Sequence, residues 1–399
     1  MALGVLLLAD DFDKSEKDEI FEVLKAEKSI DKIILMGTGY IPDYLSQSVK
    51  ELFKDTVLEI QNTDLIAGFH FAKNHLDSAM CPEIKIICKH KQKMKFICQV
   101  FFTPAVNWNV VAVGEDISSS NETLESTTES VRDYLSKIQT SDEVRILQSK
   151  KIPNDVFYHG FTTRTGGISS IPGMKSLNML YTTAKRDPPI IIQENRRRVA
   201  LKANFDTETL CVAKAVHGNM VHVIGTDPPE DGYDGVTSDK FGITCAAPGA
   251  DCVIILFADP VRRAFAAVHS GWKGTVANIP SETVKMMREK FECQRKDIFV
   301  VMGPSICKNC FDFGKDGIKQ FEDINPRCVL NNNSDKNPTV DLKLAIRTLL
   351  EDEGILPDNI DDTSSSLCTV EHPELLYSYR RDGRPFGNQI GFIGLKSPS

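Results

Sequence analysis

Two histidines and a cysteine could do chemistry together: His217 in AVHGNM, Cys252 in PGADC and His269 in VHSGWKG. Two imidazoles and one thiolate suit Zn²⁺, which takes nitrogen and sulfur donors, and three protein ligands leave a fourth position for water or substrate. That is the ligand count of a catalytic zinc. A structural zinc takes a fourth protein ligand, usually from short Cys-x2-Cys pairs, which these three residues lack. The same residue types admit a second chemistry, in which Cys252 attacks a carbonyl and His269 serves as its base. They also fit a site without chemistry, because Cys252 beside VIILF suits a buried apolar position and a strand histidine can simply pack. Cys307 and Cys310 form one Cys-x2-Cys in CKNC, with no second pair visible to complete a metal site. The His-x-Glu and Pro-Cys-x-x-Cys signature of zinc deaminases is missing, so any deamination uses a different architecture.

The elements that must position these residues are apolar runs. LCVAKAV leads into His217, Cys252 opens CVIILFAD, and AFAAV leads into His269. Residues at the ends of neighbouring strands share one edge of a sheet, where open α/β sheets place ligands. Gly218-Asn219 reads as a hairpin turn between LCVAKAVH and MVHVI. Small residues at strand ends in GFTTRTGG, PGADC, VHSGWKG and MGPS let backbones approach closely. Pro280 interrupts the helix expected after Gly274, so a short segment should end there and Ser281 should cap the next.

Before residue 151, the runs VLLLA, KIILM, VLEI, EIKIIC and NVVAV alternate with helical spacing at Ile20, Val23 and Leu24 and from Leu65 to Met80. This alternation predicts a small α/β unit. Gly37-Thr38-Gly39 imitates a phosphate-binding turn, but the next expected glycine is missing and Pro42 follows. After the polar ISSSNETLESTTES, the spacing of Leu124, Val131, Leu135 and Ile138 predicts an amphipathic helix, with a domain boundary near Glu143–Lys151. Asn121-Glu122-Thr123 spells a glycosylation acceptor, which carries no weight in a chain that is not exported.

The whole chain has 399 residues, 41% hydrophobic and 26% charged, a globular composition long enough for two domains, expected at 1–145 and 151–399. With 47 basic against 55 acidic residues and no long Lys/Arg run, it is not built to track nucleic acid. No apolar stretch approaches the ~20 residues of a membrane span, and MALGVLLLADDF lacks the features of a signal peptide. Eleven cysteines at irregular spacing in such a chain read as reduced thiols of a cytoplasmic protein, with the nucleus and organelle surfaces left open.

The segments FTTRTGG, SLNM followed by QENRRRVA, AVHGN, DGVTS, GADCVIILFAD, AVHSGWKGT, MGPSICKNCF and LCTVEHPELLYSYRRDG then IGFI run in an order that resembles the YfiH/laccase-domain family, once called multicopper polyphenol oxidases. The resemblance covers about 151–396. It implies a small N-terminal α/β domain followed by a larger YfiH-like α/β domain, a mixed sheet flanked by helices, related to the cytotoxic necrotizing factor deamidases. It implies that His217, Cys252 and His269 hold zinc. It also implies phosphorolysis of inosine, guanosine, adenosine and methylthioadenosine to base and sugar phosphate, with inorganic phosphate as co-substrate, and deamination of adenosine, in purine and immune metabolism. Copper fits the ligands too, but a multicopper oxidase needs about ten histidines in His-x-His pairs. Eight histidines and no such pair exclude that chemistry.

Within that reading Cys252, His269 and Arg164 are the expected catalytic residues, and Arg164, Asn178, Asp234, Ser270 and Lys273 the expected contacts to nucleoside or phosphate. Arg164 is chosen because a planar guanidinium fork grips an oxyanion in two places. Cys310 is read as a wall of the site, and YSYRRDG as a core-facing tyrosine pair with surface arginines. A Cys–His hydrolase or deamidase of another small molecule, or a metabolic scaffold, are the alternatives. The N-terminal domain carries no motif, and a protein partner is its expected role.

Overall fold

A computed structural model of the chain describes residues 3–27, 29–114, 122–330, 337–363 and 367–397. Asn121, the acceptor of the glycosylation triplet, lies outside the described residues. The chain forms two compact units: Met1–Thr140 with Ile168–Pro172 and Tyr181–Glu194, and Ser141–Gly167 with Gly173–Leu180 and Asn195–Ser399.

The first unit is a sheet of five parallel strands, β1 (Leu3–Leu8), β2 (Lys32–Gly37), β3 (Val57–Gln61), β4 (Glu83–Cys88) and β5 (Asn107–Ala112), in the order β3-β2-β1-β4-β5. Parallel strands buried on both faces need apolar side chains at successive positions, which is why the runs of β1 and β2 are unbroken, whereas β3, β4 and β5 carry Glu59, Lys85 and Asn109 at less buried positions. Leu6, Leu8, Ile34, Met36, Ile84 and Ile86 pack against Phe69, Leu76, Ile97 and Phe101 of helices Leu65–Ser78 and Lys91–Phe101. The intervening Val5, Leu7, Ile33, Leu35 and Ile87 pack against Ile20, Leu24, Leu45 and Val49 of helices Lys17–Lys25 and Asp43–Phe53. The helices expected around Ile20–Leu24, Leu65–Met80 and Leu124–Ile138 are all present.

This strand order is that of sheets that bind dinucleotides at the point where the order reverses. Here the turn after β1 carries Asp10 and Asp11, and the Thr38 N–H donates to the Asp10 carboxylate at 2.7 Å. The Thr38 N–H of the Gly37-Thr38-Gly39 turn is thus taken up by a carboxylate of the protein. Gly37 is needed for packing, because a Cβ there would lie 2.1 Å from the Tyr40 carbonyl oxygen.

In the second unit the remaining strands are β6 (Ile146–Leu147), β7 (Phe157–Thr162), β8 (Leu210–Val212), β9 (Val221–Val223), β10 (Gly235–Ser238), β11 (Thr244–Gly249), β12 (Val253–Asp259), β13 (Ala264–Ser270), β14 (Phe299–Met302), β15 (Val329–Leu330), β16 (Thr339–Val340), β17 (Ile360–Asp361) and β18 (Gln389–Leu395). They make two mixed sheets, β17-β14-β12-β13-β10-β9 and β6-β7-β18-β11-β8, and the small ribbon β15-β16. The class is the expected α/β with helices flanking mixed strands, but with two sheets instead of one. The reason is visible in β12, where all seven residues are buried. Ile254, Leu256 and Ala258 face Phe157, Phe161, Cys245 and Ile393 of the second sheet. Val253, Ile255 and Phe257 face Val284, Met287 and Ile346 of helices Ile279–Phe291 and Leu342–Asp352. With a side-chain period of two, an unbroken apolar strand requires a layer on each side.

Two local expectations are corrected. Gly218-Asn219 is not a hairpin turn: β8 pairs in parallel with β11, whereas β9 pairs in parallel with β10 of the other sheet. Ser281 is not a cap either. The helix after Gly274 breaks at Ala277 and Asn278, Asn278 takes a left-handed conformation (φ 65°), and Pro280 sits in the first turn, where a missing N–H costs little. Ser281 lies inside the helix and donates its hydroxyl to the Leu349 carbonyl.

Candidate metal and catalytic site

The antiparallel pairing of β12 with β13 sets Val253 opposite Ser270 and Ile254 opposite His269, so Cys252, just before β12, lies at the same sheet end as His269. The crossing segment between β8 and β9 brings His217 to that end. Side-chain donor atoms of His217, Cys252 and His269 all lie within 4.8 Å of one another, and the two imidazoles meet edge to face with centroids 4.9 Å apart. His217 is exposed, Cys252 half-buried and His269 buried. Gly271 makes the convergence possible: a Cβ there would stand 3.0 Å from the Cys252 Sγ, 3.2 Å from His217 Cδ2 and 3.4 Å from His269 Cε1.

Asp234, fully buried, organises all of this. Its Oδ1 lies 2.8 Å from His269 Nδ1. A carboxylate only accepts, so Nδ1 carries the proton and Nε2 is the nitrogen left for a ligand. The same carboxylate receives the N–H groups of Val216 (3.2 Å), His217 (2.9 Å) and Gly218 (2.7 Å). Those bonds, not a hairpin, shape the turn and hold His217 at φ 64°. The Asp234 carbonyl also accepts the His269 N–H at 2.7 Å. Burial works to raise the Asp234 carboxyl, but the bonds from His269 and from the N–H groups of Gly218 and Val216 outweigh it and hold the group below its usual range.

Charges in the cluster support one another. Burial disfavours the Cys252 thiolate, yet attraction to His269 and bonds to both imidazoles bring the thiol down to about 7. Burial likewise disfavours a charged His269, but the Cys252 sulfur and Asp234 push the imidazole up to about 9. A thiolate ready at neutral pH beside two imidazoles is a donor set that fits a divalent zinc ion.

The other expected site residues have partners within the protein. Ser270 Oγ pairs with Thr275 Oγ1 at 2.9 Å. Asn178 is buried; its Oδ1 accepts from the Asn388 N–H at 3.0 Å and its amide donates to the Leu180 carbonyl. Arg164 donates Nε to the Lys175 carbonyl (2.9 Å) and Nη1 to the Pro373 carbonyl (2.7 Å), and its guanidinium lies 4.9 Å from the Tyr377 ring centre. Lys273 is exposed on the short helix Trp272–Val276, over the Trp272 ring. Contacts therefore join Asp234 to His217 and His269, whereas Arg164 and Asn178 hold loops around residues 173–180 and 373–388.

Sequence reasoning passed over Asp251, although it stands in the GADC segment. It takes φ 94°, which is unusual for a side-chain-bearing residue, and its carboxylate accepts from Thr369 Oγ1 and the Arg380 N–H, both at 2.6 Å. Its carbonyl accepts the Ile306 N–H. Asp251 thus ties the residue before Cys252 to two loops. The YSYRRDG reading is corrected in part: Tyr377 is fully buried with its hydroxyl on the Met174 carbonyl, but Tyr379 is half exposed. The two arginines are loop ties, Arg380 to the carbonyls of Cys310 and Asp312 and Arg381 to those of Thr369 and Leu376.

Residues 158–396 match the family described as "Multi-copper polyphenol oxidoreductase laccase". The chain is 38% identical over 349 residues to the human (Homo sapiens) "Purine nucleoside phosphorylase LACC1" and 43% identical over 350 residues to that of Mus musculus; each match covers 83% of this chain and 80% of the relative. In structure it is similar to YlmD from Geobacillus stearothermophilus, with a TM-score of 0.58 and 26% identity over 65% of this chain and 98% of that one.

Proposed function

The chain belongs to the multi-copper polyphenol oxidoreductase laccase family, and from that premise we propose that it is a zinc-dependent purine nucleoside phosphorylase that also deaminates adenosine. The names of its relatives support the nucleoside and phosphate substrates. The observation that carries the reading is the convergence of His217, Cys252 and His269 around a common point, with Asp234 fixing the tautomer of one histidine and the turn of the other. Among the described residues this cluster holds only two histidines, which fits one metal ion and no multicopper centre.

In phosphorolysis an oxygen of inorganic phosphate bonds to C1′ of the sugar as the bond to the purine nitrogen breaks, and the purine leaves with a proton. In deamination water replaces the C6 amino group, which leaves as ammonia. A zinc ion held by His217, Cys252 and His269 would supply Lewis acidity, for water or for a substrate oxygen. The protein's residues do the rest. Asp234 keeps His269 Nε2 and His217 aimed at one point, so little rearrangement is needed when substrate arrives. Lys273, exposed and two residues after Gly271, is the cation we assign to phosphate; Arg164 is the second, and to reach an anion its fork must release a carbonyl of its own loops.

Inosine, guanosine, adenosine and methylthioadenosine, each incubated with pure protein with and without phosphate, should release base only when phosphate is present, as read by mass spectrometry. His217→Ala should lose the zinc of this site, phosphorolysis and deamination together. Phosphorolysis retained by metal-free protein would sink the proposal. One observation favours a second reading, a Cys–His hydrolase or deamidase: the thiol brought down to about 7 beside an imidazole raised to about 9 is a nucleophile with its acid. That reading requires a covalent adduct on Cys252 that Cys252→Ser cannot form.

A further inference from the structure

Cys307 and Cys310 lie in the loop after β14, and in sequence they lack a second pair. The structure supplies one 58 residues on, in the form Cys368-x2-Glu371. Donor atoms of Cys307, Cys310, Cys368 and Glu371 all lie within 4.8 Å of one another. Cys307 Sγ and Cys310 Sγ each stand 3.6 Å from Glu371 Oε1. Tetrahedral zinc with Zn–S of about 2.3 Å and Zn–O of about 2.1 Å has S···O edges of about 3.6 Å, the value both of these sulfur–carboxylate spacings take. The Cys307 N–H also points at the Cys368 sulfur, at 3.4 Å, a bond that stabilises a thiolate.

We infer that Cys307, Cys310, Cys368 and Glu371 form a second zinc site, separate from the one at His217, Cys252 and His269. Four protein donors close the coordination shell, so this zinc is structural, with no position for substrate. Three thiolates with one carboxylate select zinc over magnesium or calcium, which need oxygen donors. Its effect follows from what it joins. The loop of Cys307 and Cys310 and the loop of Cys368 and Glu371 both meet Asp251, the first through the Ile306 N–H and the second through the Thr369 hydroxyl, and Arg380, farther along the chain, meets it through its N–H. Arg380 also spans to the Cys310 carbonyl. The second ion therefore clips together the two loops that seat the residue before Cys252.

Full-length protein, reduced, zinc-loaded and desalted, should carry about two zinc ions per chain by elemental mass spectrometry. His217→Ala and Cys368→Ser should each carry one, from different sites. In the cobalt-loaded proteins, thiolate-to-metal charge-transfer absorption should be about three times as strong in His217→Ala as in Cys368→Ser, since three thiolates face the ion in one and one in the other. Should Cys368→Ser be insoluble, alkylation of the wild-type protein decides the matter: zinc should protect Cys307, Cys310 and Cys368, and a chelator should expose them. A single zinc that vanishes in His217→Ala, equal alkylation of these thiols with and without zinc, or a Cys307–Cys310 disulfide in the zinc-loaded protein would each overturn the inference.

Discussion

At Asp234 one carboxylate accepts from four donors, the Nδ1–H of His269 and the N–H groups of Val216, His217 and Gly218. An amide of the same shape has one accepting oxygen, and its NH₂ would face groups that are themselves donors. Asp234→Asn should therefore force the His269 ring to another tautomer or orientation while leaving the fold in place. Zinc affinity at the first site is expected to fall about 10–100-fold, the usual effect of losing a group that orients a ligand. A chelator-competition titration reads the affinity, and a thermal melt monitors the fold. Unchanged zinc affinity in a folded Asp234→Asn protein would mean that the carboxylate shapes the turn only. The contrast with Arg164 is instructive at the same scale. Both residues stand in glycine-rich motifs, but Asp234 is bonded to His217 and His269 of the proposed zinc site, whereas the bonds of Arg164 go to carbonyls of its own loops. Residue type and motif did not separate these two roles; bonding partners do.

At the scale of elements, legibility followed burial. In the first unit β1 and β2 were visible because burial on both faces demands unbroken apolar runs, and the strands flanking Cys252 and His269 for the same reason; β3, β4 and β5 were visible from shorter apolar runs interrupted by Glu59, Lys85 and Asn109. The path between β8 and β9 was not. Gly218-Asn219 carries hairpin chemistry, and the carboxylate that overrides it comes from Asp234, sixteen residues beyond Gly218. The pair Cys368 and Glu371 was illegible as a partner for CKNC, being far along the chain and having a carboxylate where a cysteine would be sought. Strand β7 gives this scale its own prediction. His159 is buried in it; Nε2 faces the Ser149 carbonyl at 3.1 Å and so donates, and Nδ1 has no partner among the described residues. Burial, reinforced by Lys396 and opposed only by the Ser149 bond, holds the ring down to about 4. The unfolded chain takes up a proton near pH 6.5 that the folded ring refuses until about pH 4. Stability is thus lost as pH falls between those values, by up to about 3 kcal/mol. Denaturant midpoints of His159→Phe should change less between pH 7 and pH 4.5 than those of the unaltered protein. Parallel slopes would show that other groups dominate acid sensitivity.

For the molecule as a whole, the question is what draws residues 168–172 and 181–194 into the first unit when their sequence neighbours belong to the second. Apolar side chains contribute, since Ile168, Ile190 and Ile191 join the core of Leu76 and Phe101. A buried charge cluster adds specificity: Arg186 donates Nε (3.1 Å) and Nη2 (2.9 Å) to Asp77 and Nη1 to the Cys81 carbonyl, and Lys73 pairs with the same carboxylate. Removing the water from three charges is costly, and two cations share one anion, so Asp77 is the member whose loss cannot be absorbed. Asp77→Ala leaves Lys73 and Arg186 buried without a counter-charge and should destabilise the first unit by about 3–5 kcal/mol. Replacing all three residues with apolar ones of similar size should recover most of that loss, because nothing charged is then left dry. The protein provides its own probe: it has two tryptophans, Trp108 in β5 of the first unit and Trp272 in the second. With Trp272→Phe as background, fluorescence during urea unfolding reports the first unit through Trp108. A midpoint for Asp77→Ala within about 0.5 kcal/mol of the background would show that water reaches the cluster and that its charges do not need one another. A large fall rescued by the apolar triple would assign the cluster to specificity, with the apolar contacts supplying the stability.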